Sequence, residues 1–295
     1  MSMSTGQNLT ASLEHVTASY LDPTGQARPT AAAAITPTPG QLAGYIDLSL
    51  NEPQLVRSLH EATTDLHERP GLAAVLPTLL EDALSLTGAE AGNIQLLDPR
   101  DGSLILVTQL GFGPEFLDHF AVVNDGGSVC GRAASSCAQV VVPDVREDLA
   151  CAPHQRVFRA AGVRAVQSTP LVDRAGRMIG MISTHRPHPA EPGERDLRFI
   201  ELYGHLAGEV IARQLGIASP VASNGTTPRS VSREAALAQL LDDAVNGILD
   251  AGLSFAAALS LSSDDLLVQQ LRAGIATLDD TIRAIQLSMY ELGRP

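Results

Sequence analysis

The sequence predicts two structured parts, an α+β domain with an antiparallel sheet flanked by helices, and an all-α helical hairpin. The first prediction rests on pairs of apolar strands around the turn sequences DPRDGS and DRAGR, with amphipathic helices before and after them. The second rests on apolar residues near the C-terminus that recur at alternating steps of four and three.

The elements of the α+β part follow from local patterns. Gly88 is the predicted end of the first helix, and Ser128 is the predicted N-cap of a short one. In chain order we expect a helix over 72–86, strands over 93–97 and 104–110, a helix over 129–137, strands over 139–142, 163–172 and 178–184, and a helix over 195–213.

Two stretches rich in Pro, Gly, Ser and Thr set the domain boundaries. Residues 1–50 are predicted to be a flexible leader, and residues 216–232 a linker. The α+β domain then occupies 55–215, beginning with a helical segment near 55–66, and the hairpin occupies 233–293. No apolar run reaches the roughly 20 residues that span a bilayer, so we expect a cytoplasmic protein without membrane contact.

Charge and composition exclude several classes of function. The net charge of −13 argues against a nucleic-acid partner, because such binding depends on neutralising phosphates. All 20 basic residues are arginine. The absence of lysine excludes P-loop phosphate binding, protein-kinase chemistry and Schiff-base catalysis.

The α+β part resembles a GAF domain, a small-molecule sensing and dimerising module of signalling proteins. The resemblance covers about 70–214 and rests on AEAGNIQLLDPRDGSLILVTQLGFGPEFLDHF, GSVCGRAASSCAQVVVPDV and GVRAVQSTPLVDRAGRMIGMISTH, in that order and spacing. It implies a ligand pocket. The candidates for its lining are Phe112, Phe116, Cys130, His154, Arg164, Gln167, Thr169 and His185.

These candidates have ordinary structural interpretations as well. The phenylalanines could belong to the core, Gln167 and Thr169 share one face of a strand with Arg164 on the opposite parity, and His154 could be a solvated loop residue. Haem ligation by His185 with His188 nearby stays open, although no Cys/His cluster has zinc spacing. No metal site is predicted, and the cofactor stays unassigned.

The three cysteines give a second candidate chemistry. Cys130 is either a reactive, redox-sensing thiol or an inert buried one. Cys137 lies about 10 Å along a continuous helix from Cys130, too far for a disulfide within that helix. A GAF-type methionine sulfoxide reductase would need suitably paired cysteines.

The C-terminal part carries a heptad seam. The two helices of the predicted hairpin at 233–293 cannot bury their apolar faces against each other alone. We therefore expect the hairpin to pair with a second copy into a dimeric four-helix bundle. The seam residues are Leu271, Ile275, Leu278, Ile282, Ile285, Met289 and Leu292.

The hairpin resembles the dimerisation and phosphoacceptor hairpin of sensor histidine kinases that work with LuxR-type response regulators. The resemblance rests on DAGLSFAAAL and LDDTIRAIQLSMYEL. It puts Leu241 where the family has its phosphorylated histidine, with Asp242 in the acidic position that follows. No histidine occurs after His205 in this sequence, and we expect no ATP-binding domain to follow the hairpin. The resemblance therefore implies a degenerate hairpin that cannot autophosphorylate.

We therefore expect a non-enzymatic signal-transduction protein, a homodimer whose GAF sensor biases a helical output toward a response regulator or a histidine kinase. The alternatives are a redox sensor or enzyme that uses Cys130, and a structural dimer whose pocket is filled by side chains. The sequence does not distinguish a homodimer from a heterodimer with an intact kinase.

Overall fold

The computed structural model describes residues 3–21, 71–173 and 176–217. Residues 218–232 of the predicted linker lie outside the described residues. So do the hairpin, the degenerate position at Leu241 and Asp242, and the seam from Leu271 to Leu292. The predicted helical segment near 55–66 also lies outside them.

The described residues form a six-stranded sheet covered by helices. Its helices are α1 (Met3–Ser19), α2 (Leu72–Thr87), α3 (Pro114–His119), α4 (Val129–Ser136), a 3₁₀ helix (Leu149–His154), α5 (Gln155–Ala160) and α6 (Glu194–Gln214). Its strands are β1 (Ala91–Leu97), β2 (Leu104–Leu110), β3 (Val122–Val123), β4 (Val140–Val142), β5 (Ala165–Val172) and β6 (Met178–Arg186).

The sheet is antiparallel throughout, in the order β3-β2-β1-β6-β5-β4. The predicted α+β class with an antiparallel sheet is confirmed. The two strand pairs around the predicted turns are the β1–β2 and β5–β6 pairs. Two helix boundaries are capped as expected. Gly88 adopts the left-handed conformation at the end of α2, and the Ser128 hydroxyl accepts a hydrogen bond from the Gly131 amide at the start of α4.

The N-terminal region differs from the expected flexible leader. Residues Met3–Ser19 form α1, which packs near β2, and Val16 and Tyr20 are fully buried. The Tyr20 hydroxyl donates to the Leu97 carbonyl at 2.6 Å, so this segment is tied to the end of β1. The apolar residues of 3–19 follow helical spacing only weakly, so the sequence does not predict this helix. Burial against the domain stabilises it.

The two faces of the sheet have different covers. The long helices α2 and α6 pack closely on one face. An added Cβ would meet Leu80 and Leu84 at Gly92, and the Pro170 carbonyl oxygen at Gly204. The short helices α3, α4 and α5 cover the other face, over an apolar cluster that includes Leu106, Phe116 and Val166. The candidate site lies beneath these short helices. Across the described ranges, no helix combines the length and apolarity that a membrane span requires.

Candidate functional site

A small cavity lies between the sheet and the short helices. About 20 Å³ of it is open to the centre of a water molecule, which is room for one or two waters. Its lining residues are Asn93, Gln95, Phe116, Phe120, Val129, Cys130, Phe158, Val166, Ser168, Ser183 and His185.

The floor of the cavity is a row of polar side chains on three neighbouring strands. Asn93 on β1 is opposite Ser183 on β6, and Ser183 is opposite Ser168 on β5. Gln95 lies two residues from Asn93, and His185 lies two residues from Ser183, so strand alternation directs all five to the same face. All five side chains are buried.

Hydrogen bonds fix the orientation of His185. Its Nε2 atom lies 3.0 Å from Oδ1 of Asn93. An amide oxygen only accepts, so Nε2 carries the proton and Nδ1 is an unprotonated acceptor. Complete burial lowers the pKa of His185 to about 3, so the ring is neutral at physiological pH.

Two acceptors at this site are left without partners. The Gln95 side chain donates from Nε2 to the Phe120 carbonyl at 3.1 Å. Among the described residues, neither Gln95 Oε1 nor His185 Nδ1 has a hydrogen-bond partner. Buried acceptors are normally satisfied, so these two atoms mark a place for a donor.

Aromatic rings form the wall above the floor. Phe112 and Phe116 are stacked with ring centroids 3.7 Å apart, and the edge of His185 meets Phe112 at 4.9 Å. Phe120 packs against Phe116 at 4.7 Å and against Phe158 at 5.6 Å. Three of the six phenylalanines of the chain therefore line this cavity, and a fourth, Phe112, stacks on one of them.

Two polar contacts connect the helices that cover the cavity. Nε2 of His119 on α3 lies 2.9 Å from Nδ1 of His154, which immediately precedes α5. Arg156 on α5 forms a 2.8 Å ion pair with Glu115 on α3. Burial, followed by the charge of nearby His119, lowers the pKa of His154, against the opposing effect of Asp125.

Cys130 lies in the cavity wall as a neutral thiol. Burial raises the pKa of the Cys130 thiol more than its hydrogen bond with the Ser128 hydroxyl lowers it. Cys137 is partly exposed at the end of α4, and Cys151 is buried with a pKa raised to about 11 by burial and Asp148. Neither buried thiol has the lowered pKa of a reactive cysteine.

The structure separates the pocket candidates into three groups. Phe116, Cys130 and His185 line the cavity, while Phe112 and His154 pack against its aromatic wall. Gln167 and Thr169 lie on the opposite face of β5, where Gln139 donates to Thr169 Oγ1 at 2.9 Å and to the Leu197 carbonyl of α6.

Arg164 is outside the cavity. Its guanidinium pairs with Asp144 through both carboxylate oxygens, and this contact lowers the pKa of Asp144 to about 2. The ion pair ties the residue preceding β5 to the loop after β4, a structural role.

Sequence reasoning missed most of the polar floor. Asn93, Gln95, Ser168 and Ser183 look like the solvated positions of alternating strands, and Phe120 and Phe158 carry no distinguishing motif. The signal that could have found them is the alternation of polar residues along β1 and β6, each of which pairs with a neighbouring strand on both edges. Within the described part of the chain, no three His, Cys, Asp or Glu residues are grouped to hold a metal ion. A haem, the cofactor considered at His185, is far larger than this space.

Comparisons with known proteins match the same region. Residues 71–212 match the family model described as GAF domain. A segment of 89 residues is 25% identical to the methyl sulfide methyltransferase-associated sensor of Methanosarcina acetivorans, which is 30% of this chain and 9% of that protein. The chain thus spans about a tenth of the length of that relative.

Solved structures of similar shape include a GAF domain from a phosphoenolpyruvate-protein phosphotransferase of Coxiella burnetii. It is 17% identical, with a TM-score of 0.46, over 56% of this chain and 99% of that one. Free methionine-R-sulfoxide reductase from Neisseria meningitidis, in complex with its substrate, is 21% identical with a TM-score of 0.45, over 56% and 92% of the two chains. The family match and the curled antiparallel sheet with its helices agree that residues 71–212 have a GAF-like α+β fold.

Proposed function

We propose that this chain is a non-enzymatic, cytoplasmic signal-transduction protein. Its GAF domain binds a small molecule in the cavity between the sheet and the short helices α3, α4 and α5. Occupancy of the cavity biases a dimeric helical hairpin at 233–293, and the hairpin contacts a histidine kinase or a response regulator.

The observation that carries the proposal is the pair of unpartnered buried acceptors, Gln95 Oε1 and His185 Nδ1. A buried polar atom without a partner costs about 1–3 kcal/mol. A ligand that donates to both atoms removes that cost, so the bound domain is favoured over the empty one. This differential stabilisation is what a sensor needs in order to shift an equilibrium between two states.

The cover of the cavity supports ligand-dependent movement. The helices above it are short: α3 and α5 have six residues each. They are connected by the exposed Arg156–Glu115 pair, which contributes little to stability, and by the His119–His154 contact. A ligand larger than water enters when these helices move outward. That movement is the structural change we propose to be transmitted.

The chemistry at the cavity supports binding rather than catalysis. His185 is neutral and fully buried, and the Cys130 thiol has a raised pKa, which disfavours the thiolate that redox chemistry needs. The redox alternative at Cys130 therefore has no observation in its favour. In the hairpin, Leu241 stands at the expected phosphoacceptor position, which supports a role in protein contact without phosphotransfer.

Relatives support a signalling role in general terms. The Methanosarcina protein is named as a sensor, and this chain shares 25% identity with a segment of it. The GAF model covers the domain that holds the cavity.

Native mass spectrometry of the full-length chain tests the output half of the proposal. We expect a dimer for the wild type and a monomer for Ile282→Asp. The substitution replaces an apolar seam contact with a carboxylate, which dimerisation would bury without a partner. Ala284→Asp introduces the same charge two residues away, outside the seam, and leaves the dimer intact. A monomeric wild type, or a dimer unaffected by Ile282→Asp, contradicts the proposed hairpin.

A further inference from the structure

The arrangement of donors and acceptors around the cavity restricts the class of molecule that fits it. From Gln95 Oε1, His185 Nδ1 and the serine pair on the cavity floor, we infer that the ligand is a small uncharged molecule of carboxamide-like polarity. It carries N–H donors beside one acceptor. This inference rests on the proposed function of the cavity as a ligand site.

The acceptors define the ligand's donors. Gln95 and His185 both line the cavity, and both residues are at most 4% exposed. Neither Gln95 Oε1 nor His185 Nδ1 has a partner among the described residues. Neither atom carries a proton to give, since Nδ1 is unprotonated when Nε2 donates to Asn93. A molecule bound between them must therefore supply hydrogens.

The serine pair defines the ligand's acceptor. The hydroxyl oxygens of Ser168 and Ser183 lie 2.8 Å apart, so one hydroxyl donates to the other. The second hydroxyl hydrogen has no place in that bond and is free to donate elsewhere. A carbonyl oxygen on the ligand would receive it. Two donors and one acceptor are the hydrogen-bonding groups of a primary amide or of urea.

Charge excludes ionic ligands. The residues lining the cavity include no aspartate, glutamate, arginine or lysine, and the two ionisable ones, Cys130 and His185, are neutral. An anion would meet two unprotonated acceptors and no cation. A cation would be buried without a counter-charge. Both arrangements are costly in a water-excluded site, whereas an uncharged amide avoids the cost.

The aromatic wall fits the flat shape of an amide. Phe116, Phe120 and Phe158 border the cavity, and planar groups pack well against their rings. The floor then supplies the directional contacts and the wall supplies the apolar ones. This division is typical of small-molecule sites.

Saturation-transfer NMR on the full-length protein tests the ligand class. Formamide, formate and methylammonium are placed together in one tube at equal concentration. Formamide and formate have the same number of non-hydrogen atoms and nearly the same shape, so they differ mainly in charge and donors. We expect saturation transfer to formamide to exceed that to formate about fivefold, since one well-made hydrogen bond is worth roughly 1 kcal/mol.

Two variants with the same substitution locate the binding. Gln95→Met removes the unpartnered acceptor and keeps a similar volume, and we expect it to reduce the formamide signal about fivefold. Gln167→Met makes the same change on the opposite face of the sheet, outside the cavity, and leaves the signal at the wild-type level.

Each contrary outcome has a definite meaning. Stronger transfer to formate or methylammonium overturns the uncharged class but leaves the ligand site in place. Transfer to formamide that survives Gln95→Met overturns the assignment of the acceptor. Absence of transfer to all three molecules overturns the ligand class together with the proposed ligand site.

Discussion

The two faces of the sheet are covered in opposite ways. On one face, α6 approaches β5 so closely that a Cβ at Gly204 or Gly208 would overlap the backbone of β5. On the other face, short helices cover a floor of buried polar side chains and leave a cavity. The first face resembles an ordinary tightly packed core, and the second carries unpartnered acceptors that lower its stability when empty.

This difference indicates how the domain divides its tasks. The face under α2 and α6 supplies stability, because close packing excludes water and fills the interface. The face under the short helices retains polar groups that a purely structural core would replace with apolar ones. The following predictions test that division, beginning with the largest expected effect.

Close packing between α6 and β5 predicts a strong effect of a single added carbon. A Cβ at Gly208 would overlap the backbone nitrogen and carbonyl oxygen of Val172, neither of which is a flexible group. We expect Gly208→Ala to lower the free energy of unfolding by about 2–3 kcal/mol, despite the higher helix propensity of alanine. Denaturant unfolding followed by circular dichroism measures the change.

Gly193→Ala is the control for this substitution. Gly193 precedes α6 with a φ of −66°, and the nearest atom to an added Cβ would be Asp196 Oδ2 at 3.9 Å. We expect no more than a few tenths of a kcal/mol of change. Equal stability of the Gly208→Ala and Gly193→Ala proteins would show that the α6 face is looser than its geometry indicates.

The cavity face should respond to pH through His185. Burial lowers its folded-state pKa from 6.5 to about 3, so the unfolded chain binds a proton that the folded domain does not. Stability is therefore full above pH 6.5 and is lost as the pH falls below it. At pH 5 this single group accounts for a loss of about 2 kcal/mol relative to pH 7.

Replacing the ring isolates this contribution. His185→Gln retains a side-chain donor for Asn93 and no longer titrates, so we expect a flatter dependence of unfolding free energy between pH 7 and pH 5. His188→Gln removes an exposed histidine three residues along and preserves the wild-type slope. Parallel slopes for wild type and His185→Gln would refute a buried neutral His185.

The serine pair on the cavity floor should show the smallest effect and a compensating pattern. Ser168→Ala leaves the Ser183 hydroxyl without its 2.8 Å partner, and we expect a loss of about 1 kcal/mol. The double variant Ser168→Ala/Ser183→Ala removes both polar groups, and we expect it to be close to the wild type in stability. A double-mutant cycle by thermal unfolding gives the coupling energy. Additive losses would mean that the hydroxyls support the core independently of each other.

Local sequence patterns determined most of the elements of this domain. The apolar spacing of α2 and α6, the turns of the β1–β2 and β5–β6 pairs and the Ser128 cap are short-range features, and each appears within two residues of its expected position. The short helices α3 and α5 and the N-terminal helix α1 were not predicted. Helices of six residues are too short to be stable alone, and α1 depends on contacts such as the Tyr20 hydroxyl with Leu97.

The sequence by itself determined five of the six strands that the structure describes, their alternation and the likeness to a sensing module; β3 was not predicted. Alternation along the predicted strand 93–97 puts Asn93 and Gln95 on one face, but alternation alone cannot tell a solvated face from a buried polar one. That outcome depends on residues distant in the sequence: Phe116 on α3 and Phe158 on α5 close over the floor, and His185 arrives from β6. Only the tertiary structure therefore decided that the polar face is the buried floor of a cavity, because burial arises from contacts between elements.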